Sequence, residues 1–333
     1  MSAFFSKTFF PTLKDRGVTR IFHLGDLFDR RKYVNFLTAE RCYSDYVYPA
    51  KEAGATIEQI VGNHDSYYRN TNEVNSPRVL YGDVCGHMRI HVGPAEVEFG
   101  SGKALLLPWI CDANREESLR ATASSSATIV LGHLELEGFE MHRGQKAEKG
   151  MSSSLFDRFA DVMSGHFHTQ SKLGNIRYVG AAGQYTWADY DDPRGFWIVD
   201  TETREAEFVA NPNEAFCKIH YDEDESTEES LAEQASRAAG KFVKLIVRSR
   251  TDSNKLSRAV DAIEKSGVEL QVVDDHRRAD DFDDELQTEE LDTLEAIERS
   301  VEELGDPTVY APAVVERARA VARELYQEAS SQS

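Results

Sequence analysis

Along the first two hundred residues, short apolar runs recur, and each stops at a glycine followed by polar residues. Arg20–Leu24 (RIFHL) stops at Gly25-Asp26 and Thr56–Val61 (TIEQIV) at Gly62-Asn63-His64-Asp65. Ala127–Leu131 (ATIVL) stops at Gly132-His133, and Asp161–Met163 at Ser164-Gly165-His166-Phe167-His168. A fifth run, Ala104–Leu107, leads into Pro108-Trp109. Short apolar runs bounded by turn residues predict buried strands. Between them, Tyr43, Tyr46, Val47 and Ala50 share a helical face, so Asn35–Gly54 predicts a helix stopped by Gly54. Met1–Phe10, with four phenylalanines, predicts a buried helix ending at Pro11. Strands alternating with helices predict a layered α/β fold, and such folds place their sites at strand ends.

The pattern changes after about residue 210. Phe216–Tyr221, Phe242–Val247 (FVKLIV) and Val268–Val273 (VELQVV) predict strands. Asp252–Ser266 predicts a helix with Leu256, Val260 and Ile263 on one face. This is a small α+β unit over residues 211–275. An acidic linker or helix face follows over 276–307, where Leu286, Leu291, Leu294, Ile297 and Val301 keep an amphipathic spacing. Residues 308–333 predict a closing helix, its apolar stripe made of Val314, Ala318, Val321 and Leu325.

Composition narrows the classes. Apolar residues make up 41% of 333, enough for a large core. No apolar run approaches the ~20 residues that cross a membrane. The opening residues lack the pattern of a secretory signal, so a cytoplasmic protein is expected. Four separated cysteines without a CxxC pair argue against thiolate zinc and a disulfide framework. The net charge is −20, and Asp274–Asp306 alone holds 15 acidic and 3 basic residues. That balance excludes a broad basic platform for nucleic acid, but not a local groove where bound cations add positive charge.

The chemistry lies in the glycine-led turns. Each pair alone has a bland reading: a GD turn, an Asx turn beside an incidental histidine, or a lone GH. Four of them after four predicted strands, in the order GD, GNHD, GH and GHxH, form a pattern chance does not supply. Alternation along an extended segment puts His166 and His168 on one side. Mixed oxygen and imidazole ligands suit manganese, iron or zinc more than calcium or magnesium alone. A carboxylate such as Asp26 can bridge two metals about 3.5–4 Å apart, activating water and neutralising a phosphate. Arg30, Arg31 and Lys32 form a basic cluster near Asp26, and Tyr67, Tyr68 and Arg69 follow GNHD directly. These are candidate DNA contacts, the cations toward phosphate. The remaining histidines are scattered and receive no role.

These residues resemble the calcineurin-like metallophosphoesterase superfamily. Further stretches narrow the resemblance: GDLFDRRK (Gly25–Lys32), VGNHDSYYRN (Val61–Asn70), LPWI (Leu107–Ile110), GHLELEGFEM (Gly132–Met141), SGHFHT (Ser164–Thr169), RYVGA (Arg177–Ala181) and DDPRGFWIVDTET (Asp191–Thr203). They are similar to the SbcD-type DNA-repair nuclease subunit, and nearest to the recombination endonuclease subunit of tailed bacteriophages. The resemblance covers most of residues 1–210. It implies a four-layer metallophosphoesterase sandwich of two mixed β-sheets flanked by helices, with residues 211–275 as a capping domain that selects DNA. It implies that Asp26 bridges two divalent metals, manganese foremost with magnesium or iron as alternatives. Asn63, His133 and His166 would then bind one metal and His168 the other. His64 would meet the scissile phosphate, with Asp65 orienting it. It implies exonuclease action on duplex DNA and endonuclease action on single strands. The implied partners are DNA and an SMC-like coiled-coil ATPase gripped by the terminal helix, with a homodimer inside a heterotetramer in a host cytoplasm.

One departure bears on activity. The family opens with a strand carrying Asp-x-His, two ligands of the metal His168 serves, and nothing in Met1–Leu24 matches it. His23 has no aspartate two positions earlier and is no substitute. A start set too late would account for this. The chain as given is expected to bind weakly at that position and to show little nuclease activity. Two other readings stay open: a phosphatase or small phosphodiesterase on the same fold, and a non-catalytic scaffold.

Overall fold

The computed structural model describes residues 1–82, 85–142, 144–249 and 251–274, with Arg317 and Val321 beyond them. The acidic segment 276–307 and three residues of the terminal stripe, Val314, Ala318 and Leu325, lie outside the described residues. Val321 is helical and exposed. No helix among the described residues is long and apolar enough to cross a membrane. The chain divides into two units, Met1–Phe216 and Cys217 onward, a few residues past the expected boundary at 210.

The first unit is mixed α/β and layered. A three-stranded parallel sheet runs in the order Arg20–His23, Thr56–Ile60, Met88–His91. A six-stranded mixed sheet runs Ser171–Leu173, Ile176–Tyr178, Asp161–Ser164, Ile129–Gly132, Gly102–Leu107, Ala95–Phe99. Its central strands Gly102–Leu107, Ile129–Gly132 and Asp161–Ser164 are parallel. Strand alternation builds the layers. Ala104, Leu106, Ile129, Leu131 and Met163 meet Ile60, Phe22 and Leu24 between the sheets. Leu105, Leu107, Val130 and Val162 turn the other way, onto Phe139, Phe156, Phe159 and Tyr178. On the far face of the smaller sheet, Ile21 and Ile57 pack against Phe4, Phe9, Leu13, Tyr46, Val47 and Ala50 of the first two helical runs.

Both helical runs pass through a proline. The first was expected to end at Pro11 and instead continues to Asp15. A π-helical turn, Phe5–Phe9, precedes the proline, and the Phe10 N–H reaches back to the Phe5 carbonyl. The second repeats the device: Phe36–Cys42, a π turn Tyr43–Val47, then Tyr48–Glu52 containing Pro49. A proline ring collides with the carbonyl four residues back; the wider π turn moves that carbonyl aside. The expected helix limits hold here. The Asn35 side chain accepts from the Thr38 N–H as an N-cap, and Gly54 ends the run with φ +68°.

The second unit has a three-stranded sheet, Phe216–Asp222, Phe242–Ser249 and Glu269–Asp274, the last two parallel. Helices Glu228–Arg237 and Ser253–Glu264 cover it through Leu231, Ala235, Ala259 and Ile263. Strands and the second helix fall where the sequence put them. The first, Glu228–Arg237, was not anticipated, because its apolar positions are mostly alanine.

Candidate metal centre

The four glycine-led turns sit at the carboxyl ends of parallel strands, two in each sheet, and the sheets are tied together there. Trp109 N–H donates to the Val61 carbonyl across the two sheets (2.8 Å), and within the larger sheet Gly165 N–H donates to the Gly132 carbonyl (2.9 Å). Glycine leads three of the turns, at Gly25, Gly62 and Gly165, because neighbouring backbone approaches too closely for a Cβ; at Gly132 a Cβ would strike the Leu134 side chain. On Gly25, at φ +91°, a Cβ would run into the His133 ring, and on Gly62 into Asp26. Asp26 and His166 themselves take φ of 55° and 84°, a strain that non-glycine residues keep only where the surroundings over-determine them.

The side chains converge. The His133 Nδ1 meets the Leu24 carbonyl at 2.7 Å, and since a carbonyl only accepts, Nδ1 carries the proton. Nε2 then faces Asn63 Oδ1 at 2.9 Å and Asp26 Oδ2 at 3.2 Å. His166 Nδ1 lies 3.1 Å from the same Asn63 oxygen. Asp26, His133 and His166 offer ligand atoms all within 4.8 Å of one another.

Charge at this point must be balanced. Burial alone would raise the Asp26 carboxyl, but His133, with His64 and His166, holds it well below the usual carboxylate range. Burial works against a charged His133, yet Asp26 beside it raises its pKa overall. His166 is pushed down to about 3 by burial and by His133, so it stays neutral with a lone pair to offer. An anionic oxygen, an amide oxygen and an Nε2 atom thus converge on one point. Either a proton on Nε2 or a cation between them satisfies that arrangement, so the donor set fits a divalent metal.

One expected role looks different in the structure. Asp65 was expected to orient His64. It is fully buried and turned into the turn, where its carboxylate accepts from the N–H groups of Gly62, Asp26 and Leu27 at 2.8–2.9 Å. It holds the GD and GNHD turns together. Burial and the neighbouring Asp26 push its pKa up to about 7. His64 is held otherwise: its N–H donates to Asp26 Oδ1 (2.8 Å) and its Nδ1 meets the Asp29 carbonyl (2.5 Å). His168 stands apart from the Asp26–His133–His166 group, with its side chain 39% exposed.

The candidate DNA contacts form a rim of cations and aromatic rings. Arg31 lies over Trp109 (4.9 Å), Arg30 over Tyr33 (5.3 Å) and Lys32 near Tyr67 (6.0 Å). Tyr67 and Tyr68 are exposed and meet edge to face. Arg31 feels both Asp26 and Arg69, and its Nη1 is buried with no hydrogen-bond partner in the structure. Residues the sequence reading passed over are the Leu24 carbonyl, which sets the His133 tautomer, and Asp189 with Arg194, which bear on His168. A backbone carbonyl leaves no trace in a sequence. The acidic residue just ahead of the Asp-Pro-Arg stretch was a signal available to be read.

No family model matches this chain. It is similar to the exonuclease subunit 1 of Enterobacteria phage T4, with 37% identity over 208 residues. That stretch is 62% of this chain and spans 60% of the relative's length. A solved structure described as a novel archaeal phosphodiesterase matches 60% of this chain and 88% of its own, at 13% identity and a TM-score of 0.31. At that score the likeness carries no argument.

Proposed function

We propose that this chain is a metal-dependent phosphodiesterase. Within that class we propose the nuclease subunit of a DNA recombination or repair complex. The observation that carries the first step is the meeting of Asp26 Oδ2, Asn63 Oδ1 and His133 Nε2 beside a neutral His166. Asp26, Asn63, His133 and His166 would hold one divalent ion, and Asp26 with His168 a second. A bound pair supplies an activated water and neutralises the phosphate. The chain's own residues do the rest. Leu24 and Asp65 fix the ligand turns. His64, anchored through the Asp29 carbonyl, stands at the Asp26 carboxylate, in reach of the scissile phosphate as acid or charge stabiliser. Arg31, with an unpartnered buried guanidinium nitrogen, is the strongest candidate for a phosphate contact.

The similarity to a phage exonuclease subunit supports the second step, as does the cation–aromatic rim, which suits a charged backbone with stackable bases. Duplex exonuclease and single-strand endonuclease action, manganese as the metal, and an SMC-like ATPase partner within a heterotetramer belong to this proposal. So do residues 211–275 as a DNA-selecting unit and the Val314–Leu325 stripe as the ATPase contact.

The test is cleavage with manganese on duplex DNA, single-stranded DNA and a small chromogenic phosphodiester, beside His64→Ala and His133→Ala. DNA cleavage lost in both variants supports the proposal. Hydrolysis of the small ester alone rejects the DNA step, and a chain that neither binds manganese nor hydrolyses any of the substrates rejects the class.

A further inference from the structure

The side chain that faces His168 has no part in the account so far. Asp189 is fully buried at the end of a short 3₁₀ turn, Trp187–Asp189. Its Oδ2 accepts from the N–H groups of Tyr185 (2.7 Å) and Thr186 (2.9 Å). Its Oδ1 pairs with Arg194 Nη2 at 2.7 Å, and Arg194, itself only 3% exposed, also reaches Asp192 at 2.9 Å. The other end of the same guanidinium donates to the His168 carbonyl, which also accepts from the Ala181 N–H at 3.0 Å. One buried ion pair therefore fixes the backbone of His168.

The ring is aimed at the same pair. His168 Nδ1 is a buried atom with no hydrogen-bond partner, and it faces Asp189 Oδ1 at 3.6 Å, just beyond bonding distance. A small ring rotation closes that gap. The hydrogen bonds Asp189 already makes as a turn cap occupy Oδ2; Oδ1 keeps a lone pair after Arg194 is served. An anionic oxygen beside a neutral imidazole favours the tautomer with the proton on the facing nitrogen.

We propose that Asp189, held by Arg194, is a positioning residue for His168: it accepts a hydrogen bond from Nδ1–H and leaves the Nε2 lone pair as the ligand atom. This rests on the metal reading above. Carboxylates that accept from the second nitrogen of a ligating histidine fix both its tautomer and its ring orientation. With His168 far more exposed than His133, the constraint that packing gives one ring must come to the other from a charge.

The experiment uses the full chain labelled with ¹⁵N-histidine, metal-free at neutral pH, with His168→Ala identifying the His168 signals. The expected result is a protonated Nδ1 and a bare Nε2; the opposite tautomer in the unmodified protein overturns the proposal, and needs no variant to fold. In Asp189→Asn the amide oxygen stays with the Tyr185 and Thr186 N–H groups and turns NH₂ toward the ring. A switch to the Nε2–H tautomer is expected, with affinity at the weaker manganese site, the one beside His168, reduced roughly 10-fold or more by calorimetry. A folded Asp189→Asn with unchanged tautomer and affinity overturns the proposal. An unmodified protein with the expected tautomer but no affinity for manganese supports the Asp189 contact and rejects the metal reading instead.

Discussion

His133 and His168 both stand just past strand ends, yet they are held by different means. His133 is 1% exposed, and a backbone carbonyl, an amide and a carboxylate fix its ring from three sides. His168 is 39% exposed, and its ring faces one carboxylate across 3.6 Å. The first half of the site is built by burial, and its order is a by-product of the fold. The second half is more open to solvent: the His168 ring meets Tyr185 edge to face and, by the proposal above, takes its orientation from the Asp189–Arg194 ion pair behind it. Asp26 belongs to the first half by contact, and by proposal to both.

If that contrast is right, damage to the buried half should be the more severe. His133→Ala removes a proposed ligand and leaves the part-buried Asp26 charge beside Asn63. Manganese affinity is expected to fall by more than about 100-fold, beyond the range typical of outer-sphere changes, as read by calorimetry. Gly25→Ala attacks the same half without touching a ligand. A Cβ at φ +91° pressed against the His133 ring should cost about 1–3 kcal/mol in denaturant unfolding and displace the ring enough to weaken metal binding. His168→Ala should be milder: one class of manganese site persists with affinity within a few-fold of the parent, and the weaker class disappears. Equal loss in His133→Ala and His168→Ala would dissolve the distinction.

Acidity offers a finer probe. The His133 pKa is raised by Asp26, and its proton competes with a cation for the same point. Manganese affinity should therefore weaken as pH falls through that raised value, with proton release on binding visible as a buffer-dependent heat. The smallest expected effect concerns Asp65, pushed up to about 7 in the folded chain from an ordinary value of 3.8. A raised folded pKa contributes stability that is complete below the unfolded value and is lost as pH rises through the folded one. The melting temperature of the metal-free protein should fall between pH 5 and pH 8, and by less in Asp65→Asn. A flat profile in the parent would contradict this assignment.

Much of the buried half was legible in the sequence. Glycine before each ligand marks a place where two backbones meet without room for a Cβ, so Gly25, Gly62 and Gly165 report the convergence of strands that are distant along the chain. Alternation in the central strands gave the layers, because Leu105 and Leu106 must face different cores. What stayed hidden depends on three-dimensional partners. Asp65 follows His64 in the chain and was expected to orient it, but the N–H groups of Asp26 and Leu27 that it serves come from a turn 38–39 residues earlier in sequence. Pro11 reads as a helix stop, and only the π turn ahead of it shows why the helix goes on. Asp189 belongs to none of the glycine-led turns and carries no motif of its own, and it is wholly buried.

The most direct test of the account is a crystal of the full chain soaked in manganese, with anomalous diffraction recorded at the manganese edge. The account predicts a strong peak bonded to Asp26, Asn63, His133 and His166, and a weaker one beside His168. A crystal with no peak among those four residues at saturating manganese would contradict it.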